Sequence, residues 1–222
     1  PWVRWAGAAV RWSAGGRTPD AVPLQPGVRA VAAAIGLDWS LGDPRWMLHP
    51  VVVMGWWIQT LRRILEPWAQ DFPWRLRLSG GLITLALVCG SGLVGWGIEW
   101  LSRAAGPWGW PVLVIALASA LAGCSLHGSV MMVLQALPDA ATAEPTLARQ
   151  KLSWIVGRDV TQLDRMGILR ACAETASENA VDGLFAPLFW MAVGCLRWRL
   201  RPAAPGPLAL AWLFKAASTP DS

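Results

Sequence analysis

Residues 79–101, SGGLITLALVCGSGLVGWGIEWL, form an apolar run near the middle of the chain. A helix needs about 20 such residues to cross the hydrocarbon core of a bilayer. The run contains six glycines, and small residues let membrane helices approach one another closely. This stretch therefore predicts a membrane-spanning helix that packs closely against its neighbours.

The composition of the whole chain agrees with a membrane protein. Of its 222 residues, 55% are hydrophobic and 15% are charged, and the mean hydropathy is +0.40. Soluble domains carry about 25% charged residues. The 17 tryptophans suit the membrane–water boundary. We therefore expect an all-α, polytopic integral membrane protein with about four or five membrane-embedded helices, whose surroundings are a lipid bilayer.

Further apolar segments lie on both sides of this run, at 28–42, 111–137, 184–196 and 207–217. The stretch 111–137 is long enough for a second clear span, whereas the others are short. Residues 1–27 show no periodicity, so we expect a disordered or interfacial leader there. Residues 28–222 are expected to form a single membrane-embedded domain. Asp38 is an ionisable residue within an apolar run, which by default marks a functional site.

The net charge of +5 has two explanations, nucleic-acid binding or basic loops on the cytoplasmic side of a membrane. The second suits an apolar chain, so no nucleic-acid partner is expected. Residues 56–78 carry four Arg and residues 138–170 carry five Lys or Arg, whereas the loop between the two clear spans carries only Arg103. Two crossings separate the basic regions, so both are predicted to face the cytoplasm from the inner (plasma) membrane.

A polar stretch, residues 157–183 with sequence GRDVTQLDRMGILRACAETASENAVDG, interrupts the apolar segments. A helix is predicted from 164 to 180, because only one Gly and no Pro occur there. Arg170, Glu174 and Glu178 follow at steps of four and share one face. Asp182 and Gly183 are predicted to break the helix.

This acidic stripe of Glu174, Glu178 and Asp182 has two interpretations. It is either a solvated helix face with an Arg170–Glu174 pair or a Mg²⁺ site on a cytoplasmic helical loop. Mg²⁺ takes oxygen ligands and keeps water and phosphate in its shell. Carboxylates next to an apolar segment are costly unless they are paired or used, so the neighbouring sequence favours the metal site.

Two further regions hold candidate binding residues. The stretch 42–50 contains Asp43, Arg45 and His49 between two prolines, and it is either a simple turn or a loop that faces a ligand. Lys215 lies in an apolar run, where it either snorkels to the membrane surface or contacts a phosphate. The four cysteines are far apart and form no CxxC pair, so small buried apolar side chains are expected rather than a disulfide framework or zinc site.

Several of these stretches together resemble a known family. They are LDWSLGDPRWMLHPVVVMG at 37–55, HGSVMMVLQAL at 127–137, ARQKLSWIVGRDVTQLD at 148–164, ILRACAETASENAVDGLFAPLFWMAVG at 168–194 and FKAASTPDS at 214–222. The chain is similar to the adenosylcobinamide-phosphate synthases of cobalamin biosynthesis, the CobD/CbiB family. The family continues beyond a KAxNTLDS-like motif, and this chain stops inside it, so the domain is expected to be incomplete at its C-terminus.

The resemblance implies an amide-forming ligase. The family is described as joining adenosylcobyric acid to aminopropanol or its phosphate, with ATP as co-substrate and Mg²⁺ as cofactor. The roles that follow are Mg²⁺ binding by Glu174, Glu178 and Asp182, and phosphate or substrate binding by Arg45, Arg158, Asp159 and Lys215. Asn179 would orient a polar group of the substrate, and Asp43 or His49 would take the proton of the incoming amine.

Two other classes of function stay open at this point. One is a related membrane protein without synthetic activity, such as the AmpE-type signalling proteins. The other is a transporter or a scaffold for the cobalamin-assembly enzymes. A transporter is expected to contain internal repeats, and the sequence shows none.

Overall fold

The computed structural model describes residues 25–42, 50–69, 72–138 and 143–219. Within these ranges the regular structure is entirely helical, as predicted. The α-helices are α1 (Pro26–Leu41), α2 (Pro50–Ala69), α3 (Pro73–Ala104), α4 (Gly109–Ala118), α5 (Gly123–Gln135), α6 (Thr146–Leu152), α7 (Arg165–Ala180), α8 (Ala186–Leu200) and α9 (Pro207–Ser218).

Three helical stretches of the described chain are long and apolar enough to cross a membrane. They are Pro73–Ala104, Gly106–Gln135 and Arg165–Leu200. The first contains the run at 79–101, and the second covers residues 111–135 of the other clear span, which was predicted at 111–137. The prediction of a polytopic helical membrane protein is therefore confirmed. The leader predicted at 1–27 lies outside the described residues except at its end, where Pro26 and Gly27 already belong to α1.

Close helix packing depends on two of the glycines in α3. A Cβ atom on Gly95 would lie 2.9 Å from the Cα of Ala209, and one on Gly92 would lie 2.6 Å from a methyl carbon of Leu213. Both contacts are too short for a side chain, so α9 lies directly against the α3 backbone. Gly80, Gly81 and Gly97 face open space, and their small size has no such role.

Three groups of buried side chains hold the described helices together. The largest lies among α1, α4, α8 and α9 and includes Ala34, Leu117, Leu121, Met191 and Leu208. The second joins α5, α6 and α7 through Val133, Ala148, Leu152, Ile168 and Cys172. The smallest joins α2, α3 and α9 through Met54, Leu87 and Ala216. The polar stretch seen in the sequence therefore belongs to a small helical unit with its own apolar contacts.

Two buried carboxylates hold the first turns of other helices. Asp38 of α1 accepts hydrogen bonds from the backbone N–H groups of Gly123 and Cys124, at 3.1 and 3.3 Å, where α5 begins. Glu99 of α3 does the same for the start of α9. The first N–H groups of a helix have no hydrogen-bond acceptor within the helix. In this apolar bundle the two acidic side chains are the acceptors. This gives Asp38 a structural role.

The predicted break at Asp182 and Gly183 is wrong. The chain forms a π-helical turn at Val181–Phe185 and continues into α8. A glycine inside a helix costs only about 1 kcal/mol, and packing outweighs that cost here. The carbonyl of Gly183 accepts a hydrogen bond of 2.9 Å from the N–H of Ala122.

The second predicted span is interrupted between α4 and α5, at residues 119–122. Ala122, which makes the contact with Gly183, belongs to this interruption. Two irregular backbone segments in neighbouring candidate spans therefore face each other. Irregular backbone at membrane depth is tolerated where it is buried in protein or lines a cavity.

Arginines lie at both ends of the bundle. The Arg103 side chain donates to the carbonyl of Pro202, and the Trp96 indole donates to the carbonyl of Ala203 at 3.1 Å. The segment after α8 thus lies beside the end of α3. The exposed Arg197 and Arg199 at the end of α8, and the exposed Arg201 that follows them, lie at that end of the bundle. The sequence-based count considered only Arg103 there, so the cytoplasmic assignment of the acidic helix stays a prediction.

The four cysteines are free. Cys172 and Cys195 are buried, as expected for small apolar side chains, whereas Cys89 is exposed and Cys124 is half-buried.

Candidate active site

The helix that carries the acidic stripe forms as predicted, from Arg165 to Ala180. Asp164 caps it, because its side-chain oxygen accepts a hydrogen bond of 2.7 Å from the N–H of Gly167. An N-terminal cap of this kind stabilises a helix by about 1 kcal/mol. Glu174 and Glu178 are exposed on this helix, and Asp182 is exposed on the π-helical turn that follows it.

A cavity of about 360 Å³ lies between α5, the end of α7, the π-helical turn and α9. Its charged lining residues are Asp182 and Lys215. We call it the Lys215 cavity. Its remaining polar side chains are Ser125, Ser129, Thr175, Asn179, Ser218 and Thr219. The space therefore offers one cation, one carboxylate, an amide and several hydroxyl groups to a polar ligand.

The facing backbone segments form part of this cavity, since Ala122 and Gly183 both line it. The interruption before α5 and the π-helical turn after α7 thus leave room for the cavity at the point where they meet. Single π-helical turns occur frequently at functional sites. Here the turn places Asp182 beside the cavity as the chain passes from α7 to α8.

A wider groove of about 720 Å³ lies on the other side of the α7 helix end. Its charged lining residues are Arg158, Glu174 and Glu178. We call it the Arg158 groove. A side-chain nitrogen of Arg158 donates to a carboxylate oxygen of Glu174 at 2.6 Å, and both side chains are more than half exposed. The pair therefore stands at the surface, where water and a charged ligand have access.

Three residues line both spaces, namely Ile155, Thr175 and Asn179. The Lys215 cavity and the Arg158 groove are therefore adjoining parts of one candidate site, and Asn179 lies at their junction. Each space has one cation, Lys215 in the cavity and Arg158 in the groove. The carboxylates of the acidic stripe lie between these two residues in the sequence. This arrangement suits a ligand that carries negative charge at two positions, such as phosphate groups or a carboxylate and a phosphate.

The three carboxylates of the stripe do not converge. Among the residues that the structure describes, no group of three or more His, Cys, Asp or Glu side chains lies close enough to hold a metal ion. Glu174 pairs with Arg158 rather than with Arg170, which was the partner expected for a solvated face. Glu178 lines the groove and Asp182 lines the cavity. The expected three-carboxylate cluster is therefore not formed in this arrangement.

Asp159 lies apart from both spaces. It is exposed, and one of its oxygens accepts hydrogen bonds from the backbone N–H of Thr161 at 2.9 Å and from the Thr161 hydroxyl at 2.8 Å. These bonds lower the pKa of the Asp159 carboxyl below its ordinary value. Its contacts are those of a local turn. Asp43, Arg45 and His49 lie outside the described residues.

Hydroxyl groups are the site feature that the sequence analysis missed. Ser125 and Ser129 stand four residues apart on α5 and share one helix face. Ser218 and Thr219 end α9, where both hydroxyls donate to the carbonyl of Lys215, at 3.1 and 2.6 Å. The four-residue spacing on α5 was a readable signal. Only the fold shows that α5 and α9 meet at the same cavity.

Comparison with known proteins gives a consistent result. The family described as CobD/Cbib protein matches residues 31–222. The chain is 38% identical to a cobalamin biosynthesis protein CobD of Pelobacter propionicus over 90% of its own length and 56% of the relative. It is 39% identical to a CobD of Photorhabdus laumondii over 86% of its length and 55% of the relative.

A cobalamin biosynthesis protein CbiB of Salmonella choleraesuis is 38% identical over 84% of this chain and 54% of the relative. The chain thus spans about half the length of the curated relatives that it matches. No solved structure matches it significantly.

Proposed function

Because the chain belongs to the CobD/CbiB family of cobalamin biosynthesis proteins, we propose that it forms the amide bond between adenosylcobyric acid and aminopropanol or its phosphate. The observation that carries this proposal is the position of Asn179 between two adjoining spaces, each with its own cation. A reaction that joins a corrinoid carboxylate, an amine and ATP needs to hold several anionic groups side by side. The product would be adenosylcobinamide or its phosphate.

The chemistry requires an activated acyl group. In the proposed sequence, a carboxylate oxygen of the corrinoid attacks the terminal phosphorus of ATP, and ADP leaves. The amine nitrogen then attacks the acyl carbon, phosphate leaves, and the nitrogen loses one proton to a base. Positioning and charge stabilisation are the main contributions of a protein to phosphoryl transfer. Asp43 and His49 remain our candidates for the base.

The residues of the candidate site divide these tasks. Lys215, with Ser125 and Ser129 in the same lining, binds phosphate in the Lys215 cavity. Arg158 binds a second anionic group in the groove, where it exchanges or shares its contact with Glu174. Asn179 orients the substrate between them through its amide. Arg45 keeps the phosphate-binding role that the family resemblance implies. Asp159, which lies apart from both spaces, holds the turn next to Arg158 through its hydrogen bonds with Thr161.

Mg²⁺ fits the oxygen donors that are present. In phosphate-using sites this ion is bound through one or two carboxylates together with water and phosphate oxygens. Glu178 and Asp182 line the adjoining spaces on either side of Asn179 and would hold the ion. Glu174 would contribute when Arg158 turns to the substrate. Once bound, the ion neutralises phosphate charge.

The proposed setting is the inner membrane, with the site at its cytoplasmic face, where ATP and the aminopropanol substrate are available. Other cobalamin-assembly enzymes are proposed as partners that supply the corrinoid. If the purified protein binds such enzymes but consumes no ATP when corrinoid and amine are both present, it is a scaffold and the ligase proposal is wrong.

The substitution Glu178→Gln tests the proposal, because it keeps the shape of the side chain and removes its charge. The rate of amide synthesis is measured as a function of Mg²⁺ concentration. The assayed protein is expressed from the complete natural reading frame that encodes these residues. We expect the Mg²⁺ concentration at half-maximal rate to rise about tenfold or more, in line with the loss of one ligand. Glu144→Gln is the matched control, since Glu144 is an exposed carboxylate outside both spaces. Equal Mg²⁺ dependence of Glu178→Gln and wild type would show that Glu178 has no role in metal binding.

A further inference from the structure

A second cavity lies at the opposite end of the bundle from the candidate active site. Its volume is about 490 Å³, and it is bounded by the start of α1, the end of α3, the turn that begins at Gly106 and the end of α8. Its lining includes Ser102, Arg103, Trp110, Leu113, Trp198 and Arg199. None of them lines the Lys215 cavity or the Arg158 groove. We call it the Arg199 cavity.

This cavity lies where the candidate spans end. The spans that contain α3 and α8 end at Ala104 and Leu200. Trp100, Trp108 and Trp110 are exposed nearby, at 59%, 87% and 44% of their surfaces. Exposed tryptophans concentrate at the level of lipid headgroups. The mouth of the cavity is therefore expected at the membrane surface, next to headgroups and acyl chains.

The charged side chains that line the cavity have one sign. Arg103 and Arg199 line it, and no Asp or Glu is among the described residues of its lining. Arg103 is held in place, because its guanidinium lies 4.8 Å from the centre of the Trp198 ring and donates to the carbonyls of Glu99 and Pro202. Arg199 is exposed on the last turn of α8. The site thus presents a fixed cation and an accessible one to a single anionic group.

The interior of the cavity is apolar. Leu113 and the rings of Trp110 and Trp198 form much of its wall. The hydroxyl of Ser102 is buried in the same wall, and within the described residues it has no hydrogen-bond partner. An aqueous anion such as free phosphate gains nothing from such a wall. A molecule with an anionic head and an apolar chain is complementary to both parts.

We propose that the Arg199 cavity binds one anionic glycerophospholipid. Its headgroup phosphate lies between Arg103 and Arg199, and one acyl chain enters the apolar interior past Trp110 and Trp198. The chain's own residues 1–24 are a poorer occupant, because they carry Arg4, Arg11 and Arg17 against a single acid, Asp20. Like charges would oppose their approach to the two arginines.

The test uses the purified 222-residue chain incorporated into bilayer discs that contain phosphatidylcholine and phosphatidylglycerol in a ratio of about four to one. The discs are dissolved in a mild detergent, and native mass spectrometry counts the lipids that remain bound. We expect one phosphatidylglycerol per chain, retained about tenfold over phosphatidylcholine after correction for the mixture. In Arg199→Gln that preference falls to about twofold or less, because the accessible cation is lost.

Arg197→Gln is the matched control. Arg197 is also exposed near the end of α8, but it does not line the cavity. It should keep the wild-type preference. Excess glycerol phosphate should not displace the lipid, since it has no acyl chain. The proposal is wrong if phosphatidylcholine is retained equally, if the two arginine variants lose the preference equally, or if glycerol phosphate displaces the lipid. It is also wrong if binding appears only after removal of residues 1–24, because that segment would then be the occupant.

Discussion

The carboxylate of Glu99 in α3 lies 2.6 Å from the backbone nitrogen of Leu208, in the first turn of α9. The same side chain also accepts hydrogen bonds from Gly206 and Ala209, at 2.8 and 3.2 Å. Glu99 is completely buried. Its position explains how a short helix with a glycine–proline start is held against α3, where Gly92 and Gly95 allow the backbones to meet.

We expect Glu99→Ala to destabilise the bundle strongly. Three backbone N–H groups lose their acceptor in a place that water reaches poorly, and one such buried loss costs about 1–3 kcal/mol. The total effect should be on the order of 3 kcal/mol or more, with Glu99→Gln less severe because one acceptor oxygen remains. Thermal unfolding in detergent, followed by tryptophan fluorescence, measures the change. Glu66→Gln, which breaks an exposed pair with Arg62, is the control. A melting temperature of Glu99→Ala equal to that of the control would contradict this role.

The second helix-capping contact predicts a change in cysteine reactivity. Asp38→Ala removes the acceptor for the N–H groups of Gly123 and Cys124. Loss of a cap costs about 1.4 kcal/mol, which corresponds to roughly tenfold more frequent opening of the first turn of α5. Alkylation of half-buried Cys124 should accelerate by about that factor, as measured by mass spectrometry of its peptide. Buried Cys172 is an internal control and should react at an unchanged rate. If both thiols accelerate together, the substitution loosens the whole protein and the local explanation fails.

The sequence predicted the helical membrane class and the α7 helix because both depend on local properties, apolar length and the absence of helix breakers. It did not predict the π-helical turn at Asp182. That turn is stabilised by the contact between Gly183 and Ala122, residues that are distant in the chain. The partner of Glu174 was missed for the same reason. Arg170 was the neighbour expected from helix spacing, whereas Arg158 reaches Glu174 from the loop before the helix.

Glu99 shows the same limit in a single residue. The sequence shows that Glu99 lies in the run at 79–101. It does not show that Glu99 caps α9, because the hydrogen-bond donors lie more than 100 residues later. The Lys215 cavity likewise joins α5, α7 and α9. Lys215 and Asn179 were found as candidates from the family resemblance and residue type. Their proximity follows from the fold, in which α9 packs against α8, the helix that continues from α7.

The turn at Asp159 predicts a pH-dependent signal. Hydrogen bonds from Thr161 lower the pKa of this carboxyl from its ordinary value of 3.8. The stabilisation of the turn is therefore fully present above the pKa of the unfolded chain, and it is lost as the pH falls through the lower folded value. The ¹³C resonance of the labelled Asp159 carboxyl should titrate below 3.8 and shift upward in Thr161→Val, which removes the hydroxyl donor. A midpoint that is the same in both proteins would exclude the Thr161 hydroxyl as a cause of the shift.

Substitution of Arg158, the partner of Glu174, distinguishes an effect on stability from an effect on function. Both side chains are more than half exposed, and such surface pairs stabilise proteins by only about 0–1 kcal/mol. Arg158→Gln should therefore leave the melting temperature almost unchanged, as should Arg62→Gln, which breaks the comparable exposed pair with Glu66. Under the proposed function, only Arg158→Gln removes a ligand for an anionic group. We expect KM for ATP or for the aminopropanol phosphate to rise about tenfold or more, which corresponds to one charge-assisted hydrogen bond. Steady-state kinetics measure the KM values of both variants, each expressed from the complete reading frame. If the two variants show the same KM values, Arg158 is a surface residue with a structural partner, and the Arg158 groove is not part of the substrate site.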